Sequence, residues 1–325
     1  MDNLDNTVKS LESFINSPLL LGSLQLNNRL IQGPLAGYSC APFRQLFDQF
    51  MSPAFCVSEM LSAHDVLHKH QPNDRYLFRG ETEKTLCYQI AGTCPTLMAE
   101  AAIKLEHLQA SLIDINCGCP KPKIRKKGAG SALLERPELL INIVKSVRGA
   151  IKCPLTVKIR LMDSDKNIAL VKAIADAGAD AIVVHGRRWI DDYDKPCSLQ
   201  KIASIKHAVD IPVIVNGDIA DRDSLNRAYN ETNCDGFMIS RASTGKPWLF
   251  QELLTNTALH LKLANRIKIF MTHLYGLAIL ENEFKAVLQS KSLVRYYFKN
   301  EFSPDFFQMF YQLTKLEDIE SSLSN

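Results

Sequence analysis

From about Leu30 onward the chain alternates short apolar runs rich in β-branched residues with longer stretches whose apolar positions recur at helical spacing. Eight runs have the length of strands: LIQG (30–33), AFCVSE (54–59), TLCYQI (85–90), LIDIN (112–116), LTVKI (155–159), AIVVH (181–185), PVIVN (212–216) and GFMIS (236–240). The stretches between them read as helices. In PTLMAEAAIKLEHLQ (95–109), Leu97, Ala101, Leu105 and Leu108 fall on one stripe. Pro95 suits a first helical turn, where its missing N–H has no partner to lose. Strands and helices in alternation are the signature of parallel βα units, and eight of them over roughly 220 residues match a barrel. An open doubly wound sheet is the main alternative, but it normally has fewer strands and a glycine fingerprint after the first, which LIQG lacks. The expected fold is α/β, a (β/α)8 TIM barrel over residues 20–250 that follows an N-terminal extension of residues 1–19.

Past about Phe250 the alternation stops and only helical patterns remain, so residues 251–325 read as a small C-terminal all-α domain. Ser303 followed by Pro304 marks a fresh helix start within it. Between Lys262 and Lys299 the tail carries seven Lys or Arg against two acidic residues, a modest excess of the kind that ordinarily marks a solvated face.

Composition narrows the setting. With 46% hydrophobic residues in 325, the chain has enough apolar material for a large core. Neither a signal-peptide core nor a run of about 18 apolar residues is present, and a cytoplasmic protein with no membrane partner is expected. The nine cysteines are odd in number and scattered, which fits free thiols in a reducing compartment. A net charge of +3 is too small to indicate nucleic-acid binding by itself, so clusters must carry that reading.

In a barrel the chemistry lies where the strands end. Here the runs close on Glu59, Gln89, Asn116, Lys158 with Arg160, His185, Asn216, and Ser240 with Arg241. Singly, such residues mark where strands stop; together they outline a polar mouth. VNGDIADRD (215–223) and ISRASTGKPW (239–248) place glycines in the seventh and eighth turns, where barrels often hold phosphate. A lysine such as Lys158 inside that mouth needs an anion or an electron-rich ring, and a flavin offers both, with Gln89 free to pair with its edge. Lys158 reads equally as a Schiff-base lysine of a lyase or aldolase, and His185 as a satisfied core histidine.

After the fourth run the chain reads NCGCPKPKIRKKGAG, with five basic residues among the seven from Lys121 to Lys127. Cys117 continues the strand and reads as a buried thiol. Cys119 falls in the loop at the catalytic face, where adjacent charge favours its thiolate or an anionic partner. The C-x-C pair lacks the second pair that zinc requires, so no metal is expected.

The ordered set NRLIQGPLAG, PFR (42–44), VSEM (57–60), QIAG (89–92), DINCGCPKPKIRKKGAGSALL, KIR (158–160), HGR (185–187), IPVIVNGDI and MISRASTGKPW resembles the flavin-dependent tRNA-dihydrouridine synthases. The likeness is strongest to the bacterial B-type branch and runs from about Leu20 to Phe250. It implies a TIM barrel carrying FMN, followed by a helical domain that helps embrace tRNA. Carried over position by position, it implies FMN contacts at Pro34, Leu35, Ala36, Gln89, Lys158, His185, Asn216, Gly217, Asp218, Ser240 and Arg241. Asn116, Arg160 and Arg187 fall on the substrate side, and Cys119 on the proton donor. The implied reaction uses NADPH to reduce FMN, passes a hydride to carbon 6 of a flipped-out uracil, and protonates carbon 5 from Cys119. Lys121, Lys123, Arg125, Lys126 and Lys127 would hold the surrounding phosphates; tRNA is the expected partner, DNA is not, and a monomer is expected.

The chain departs from that pattern in places. Ser39 and Cys40 replace a usual Thr and Asp, Ser240 replaces a Gly, and Arg188 replaces a Thr after HGR. Tyr193, Lys195, Cys197, Ser198 and Leu199 stand in a loop that usually reads Tyr-x-Gly-x-Ala-Asp-Trp, and the tail keeps only Lys291, Arg295, Tyr296 and Tyr297 of its usual cluster. Two further readings stay open beside the aldolase: a tRNA-binding protein with lapsed catalysis, and a flavin enzyme reducing free pyrimidines, which would not need the basic run.

Overall fold

The computed structural model describes residues 10–163 and 166–324, so residues 1–9 of the expected extension lie outside the described residues. Eight parallel strands form one closed sheet: β1 (Leu30–Gln32), β2 (Phe55–Val57), β3 (Leu86–Ala91), β4 (Leu112–Cys117), β5 (Leu155–Leu161), β6 (Ala181–Arg188), β7 (Val213–Asn216) and β8 (Gly236–Ile239). β8 pairs back onto β1, with Phe237, Met238 and Ile239 opposite Leu30, Ile31 and Gln32. Closure leaves the barrel no free edge. The eight strands are the eight apolar runs of the sequence.

Because side chains alternate across a strand, each strand divides into two sets. Leu86, Tyr88, Ile90, Ile113, Ile115, Val157, Ile182, Val184, Val213 and Val215 face outward into the core shared with the surrounding helices. Ile31, Phe55, Val57, Cys87, Leu112, Ala181, Val183, Ile214 and Met238 face inward. The inward set is apolar only over the N-terminal half of the barrel. There Leu19, Leu21 and Leu26, from an antiparallel hairpin pairing Leu19–Leu21 with Leu24–Leu26, join the same cluster and close that end. Further along, the same inward positions become Glu59, Gln89, Asp114, Asn116, Lys158, His185 and Asn216, all buried. The barrel therefore has a dry floor and a polar mouth.

Two elements differ from the sequence reading. Helix Pro95–His107 buries Met98, Ala101, Ala102 and Leu105, while Leu97 and Leu108 are half-buried. It packs against both flanking helices, Ala63–His68 and Pro137–Ala150, with Ala101 and Ala102 among its buried residues. At the other end, helix Leu249–Thr255 adds Leu249, Phe250, Leu253 and Leu254 to the barrel's outer core, so that core continues beyond residue 250. Residues before the hairpin are likewise not apart, since Leu11 and Ile15 belong to the same core.

Four more helices follow: Leu263–Leu280, Glu283–Phe298, Pro304–Phe310 and Leu316–Ser324. Ser303 caps the third by accepting from the Phe306 N–H. They enclose a second core around Phe270, Leu274, Leu293, Tyr297, Phe298 and Phe310, and that core takes in Cys40 and Leu46 from after β1 and Trp248 from after β8. The helical unit is thus seated on loops that follow barrel strands. Gly245 marks how tightly: its φ is 72°, and a Cβ there would lie 2.4 Å from the carbonyl carbon of Tyr296. Gly245→Ala is expected to lower stability by about 2–3 kcal/mol, through the left-handed backbone and the collision together. Urea unfolding should show a lower midpoint at unchanged slope.

Candidate active site

A buried chain of hydrogen bonds runs from inside the barrel to Cys119. Asp114, in the middle of β4, accepts from Thr156 Oγ1 on β5 at 2.6 Å and from Gln89 Nε2 on β3 at 2.8 Å. Gln89 Oε1 in turn accepts from Asn116 Nδ2 at 2.8 Å. Asn116 Oδ1 then accepts the backbone N–H groups of Gly118 and Cys119, at 3.2 and 2.9 Å. On the far side, Ser131 donates both its N–H and its Oγ–H to the Cys119 carbonyl, at 3.0 and 2.9 Å. Cys119 is therefore fixed through its backbone from both directions, with its side chain partly exposed. Burial pushes the Asp114 carboxyl up, while Thr156, Gln89 and Lys158 pull it back.

Around this chain stand cations. Lys158 is buried, and its Nζ makes no hydrogen bond among the described residues. Burial lowers its pKa, and Asp114 opposes that shift. His185 is pushed down to about 2 by burial and by Lys158, Arg160, Arg187 and Arg241, so the imidazole is neutral at physiological pH. A neutral histidine amid four cations leaves a field that an anionic or electron-rich ligand completes.

The other expected residues divide by what they touch. Gly217 and Asp218 follow β7 with φ of 116° and 56°, and a Cβ on Gly217 would lie 2.2 Å from Cys197 Sγ. Such turns gather N–H groups for an anion. Asn216 Nδ2 bonds the Met238 carbonyl at 2.8 Å and Ser240 Oγ at 3.4 Å. Ser240 also lies against Gly33, so the Pro34–Ala36 loop, the β7 turn and the end of β8 converge. Arg241 is exposed and stacks over the ring of Tyr193 at 3.7 Å. Arg160 donates to the carbonyls of Gly118 and Arg188, both at 2.9 Å. Arg187 binds the carbonyls of Lys195 and Tyr193, the Cys197 sulfur and Asp218. These two arginines hold loops in place. Lys121, Lys123, Lys126 and Lys127 are exposed without an ion pair among the described residues, whereas Arg125 is bound by Glu135 and Ser131.

Four residues of this assembly escape a reading of strand ends. Asp114 and Thr156 lie within strands, and the only signal is a carboxylate between Ile113 and Ile115. Tyr193 enters from a loop to stack on His185, with ring centroids 6.5 Å apart. Arg75 joins three regions: it donates to Glu59 at 2.8 Å, to the Gly37 carbonyl at 2.9 Å, and to Glu281 and Gln289 of the helical unit at 2.5 and 2.9 Å. Among the described residues, no helix is long and apolar enough to cross a membrane.

A family model described as dihydrouridine synthase matches residues 31–323. The chain belongs to this family. It is a flavin-dependent oxidoreductase that modifies tRNA. The tRNA-dihydrouridine synthase B of Pseudomonas aeruginosa is 38% identical over 240 residues, 73% of this chain and 72% of the relative. That of Pseudomonas syringae is 33% identical over 317 residues, 95% and 93% of the two chains. Solved structures give the fold alone: a 6-hydroxypseudooxynicotine amine oxidase from Pseudomonas geniculata matches at a TM-score of 0.60 and 14% identity, covering 76% of this chain and 50% of that one. A morphinone reductase matches at 0.54 and 12%, covering 75% and 91%. The chain spans about half the length of the first of these structures. The dihydrouridine synthase site fits a flavin on its own chemistry, since the buried Lys158 ammonium has no hydrogen-bond acceptor among the described residues and suits the ring's electron-rich edge.

Proposed function

We propose that this dihydrouridine synthase reduces specific uridines of tRNA to 5,6-dihydrouridine, using FMN reduced by NADPH, with Cys119 as the proton donor. The observation that carries this reading is the placement of Cys119, pinned by the Asp114–Gln89–Asn116 chain beside a cation-lined mouth on one side and unpaired lysines on the other. FMN, when bound and reduced, supplies the hydride for carbon 6 of the uracil.

The chain's own residues do the rest. Pro34, Leu35 and Ala36 line the ring's side of the mouth with Gln89, Lys158 and His185. Asn216, Gly217, Asp218, Ser240 and Arg241 surround the phosphate. Lys158 stays cationic because the cofactor's negative edge replaces the water it has lost. Asn116 faces the base and fixes the Cys119 loop. The Cys119 thiol gives its proton to carbon 5 as the carbon 5–carbon 6 double bond is reduced, and solvent later reprotonates the sulfur. Lys121, Lys123, Lys126 and Lys127 hold phosphates of the extruded nucleotide. Arg125, Arg160 and Arg187 act on substrate by fixing the loops that frame it. The barrel, residues 20–250 with helix Leu249–Thr255 packed onto its outer core, is the catalytic part, and the helices that follow extend the tRNA surface. The enzyme works as a monomer in the cytoplasm.

The test begins with the purified protein's visible spectrum and the cofactor released on denaturation. FMN is expected, and tRNA from a synthase-deficient strain should then gain two hydrogens at defined uridines when NADPH is supplied. A colourless protein that also fails to take up added FMN would sink the proposal.

A further inference from the structure

Trp189 stands in the loop after β6, where its indole meets the basic segment that follows Cys119. The Arg125 guanidinium lies 3.6 Å from the ring centroid, and the tryptophan remains 40% exposed. Arg125 cannot swing freely, since Nη1 donates to Ser131 Oγ at 3.0 Å and Nη2 to Glu135 at 2.6 Å. Ser131 Oγ donates in turn to the Cys119 carbonyl at 2.9 Å. One stacking contact and two hydrogen bonds therefore connect the indole to the residue that faces the target base. Ile190, 50% exposed, extends the apolar surface, and Lys121, Lys123, Lys126 and Lys127 lie on the same basic segment without ion pairs among the described residues.

We infer that Trp189, backed by Arg125, is a stacking platform for an unpaired base of the RNA next to the uridine being reduced. A flat ring with one face held by a fixed cation has little rotational freedom to lose on binding, and every base offers a π-face to stack upon. The lysines supply the backbone attraction that such platforms accompany. Extruding a uridine unstacks its neighbour, and the platform replaces the lost stacking partner. Trp189 is thus a substrate-positioning residue that acts on the flanking nucleotide. The inference rests on the tRNA-reducing function proposed above.

The chain contains two tryptophans, and the other, Trp248, is buried in the second core, so emission changes on RNA binding report Trp189. Titrating the flavin-loaded enzyme with unmodified tRNA should quench part of the tryptophan emission, and Trp189→Phe should abolish that quenching. Trp189→Ala should raise the KM for tRNA about 5- to 150-fold, the factor expected from losing one base–aromatic stack. The value of kcat should change far less, and Trp189→Phe should recover most of the loss in KM. Reduction of tRNA by the wild type with unchanged emission, together with an unchanged KM for Trp189→Ala, would overturn this inference and leave the function standing. Failure of the wild type to bind tRNA would overturn both.

Discussion

Cys119→Ala is expected to slow tRNA reduction by about 10²–10⁴-fold, the usual contribution of a positioned general acid. Flavin content and tRNA affinity should survive, because every hydrogen bond that fixes residue 119 runs through its backbone, to Asn116 on one side and Ser131 on the other. Alanine keeps those bonds and removes only the thiol. The clean measurement is single-turnover: flavin reduced without oxygen is mixed with unmodified tRNA, and its reoxidation is followed. Wild-type enzyme should reoxidise as the uridine is reduced, whereas Cys119→Ala should bind tRNA and stall. Cys119→Ser should fall between, since a hydroxyl occupies the same position but is a far weaker acid. Equal reoxidation rates in wild type and Cys119→Ala would move the proton donor elsewhere in the mouth.

The barrel was legible because parallel strands packed on both faces need nearly continuous apolar runs, and LIDIN, LTVKI, AIVVH and PVIVN are such runs. Their polar closing residues were legible for the converse reason: an inward position at the C-terminal end has no apolar neighbour to pack against, and Gln89, Asn116, Lys158, His185 and Asn216 do stand together there. What the sequence hides is partnership. Asp114 hydrogen-bonds Thr156 from 42 positions away, so nothing local distinguishes it from an interruption in a strand. Arg125 and Arg187 read as charges available to RNA, yet Glu135 and Asp218 already engage them. Arg75 lies in the connection after β2 and meets Glu281 across 206 positions, a contact that exists only once the helical unit has docked. Helix faces are similarly relational, and the rotation of Pro95–His107 onto Met98 and Ala102 follows from its two neighbours.

The fold should also be unusually sensitive to mild acid. Two histidines are buried and neutral: His185 is pushed down to about 2 by burial and the surrounding cations, and His273 to about 3 by burial and by Arg75. In the unfolded chain both titrate near their ordinary value of about 6.5. Below that pH the unfolded state takes up two protons that the folded state refuses, so stability is complete above about pH 6.5 and falls as pH drops. The two histidines alone give a slope approaching about 2.7 kcal/mol per pH unit, or about 4 kcal/mol lost by pH 5. The Asp114 carboxyl, pushed up to about 6 by burial, takes up a proton in the fold over the same range and offsets about 1.4 kcal/mol of that loss. Urea midpoints measured between these pH values test this directly. His273 allows the contribution to be divided, because it sits in the second core beside Phe43 and Tyr297, away from the cation-lined mouth, and its Nε2 has no partner among the described residues. His273→Phe should therefore lower the acid slope by about 1.4 kcal/mol per pH unit, with a pH-independent cost of about 1–3 kcal/mol because the buried Tyr297 hydroxyl loses its partner. Nδ1 of His273 lies 3.2 Å from the Tyr297 hydroxyl, which can accept from a protonated ring. A slope unaffected by His273→Phe would mean that this hydroxyl holds the proton inside the fold, leaving His185 and the mouth to account for all of the acid loss.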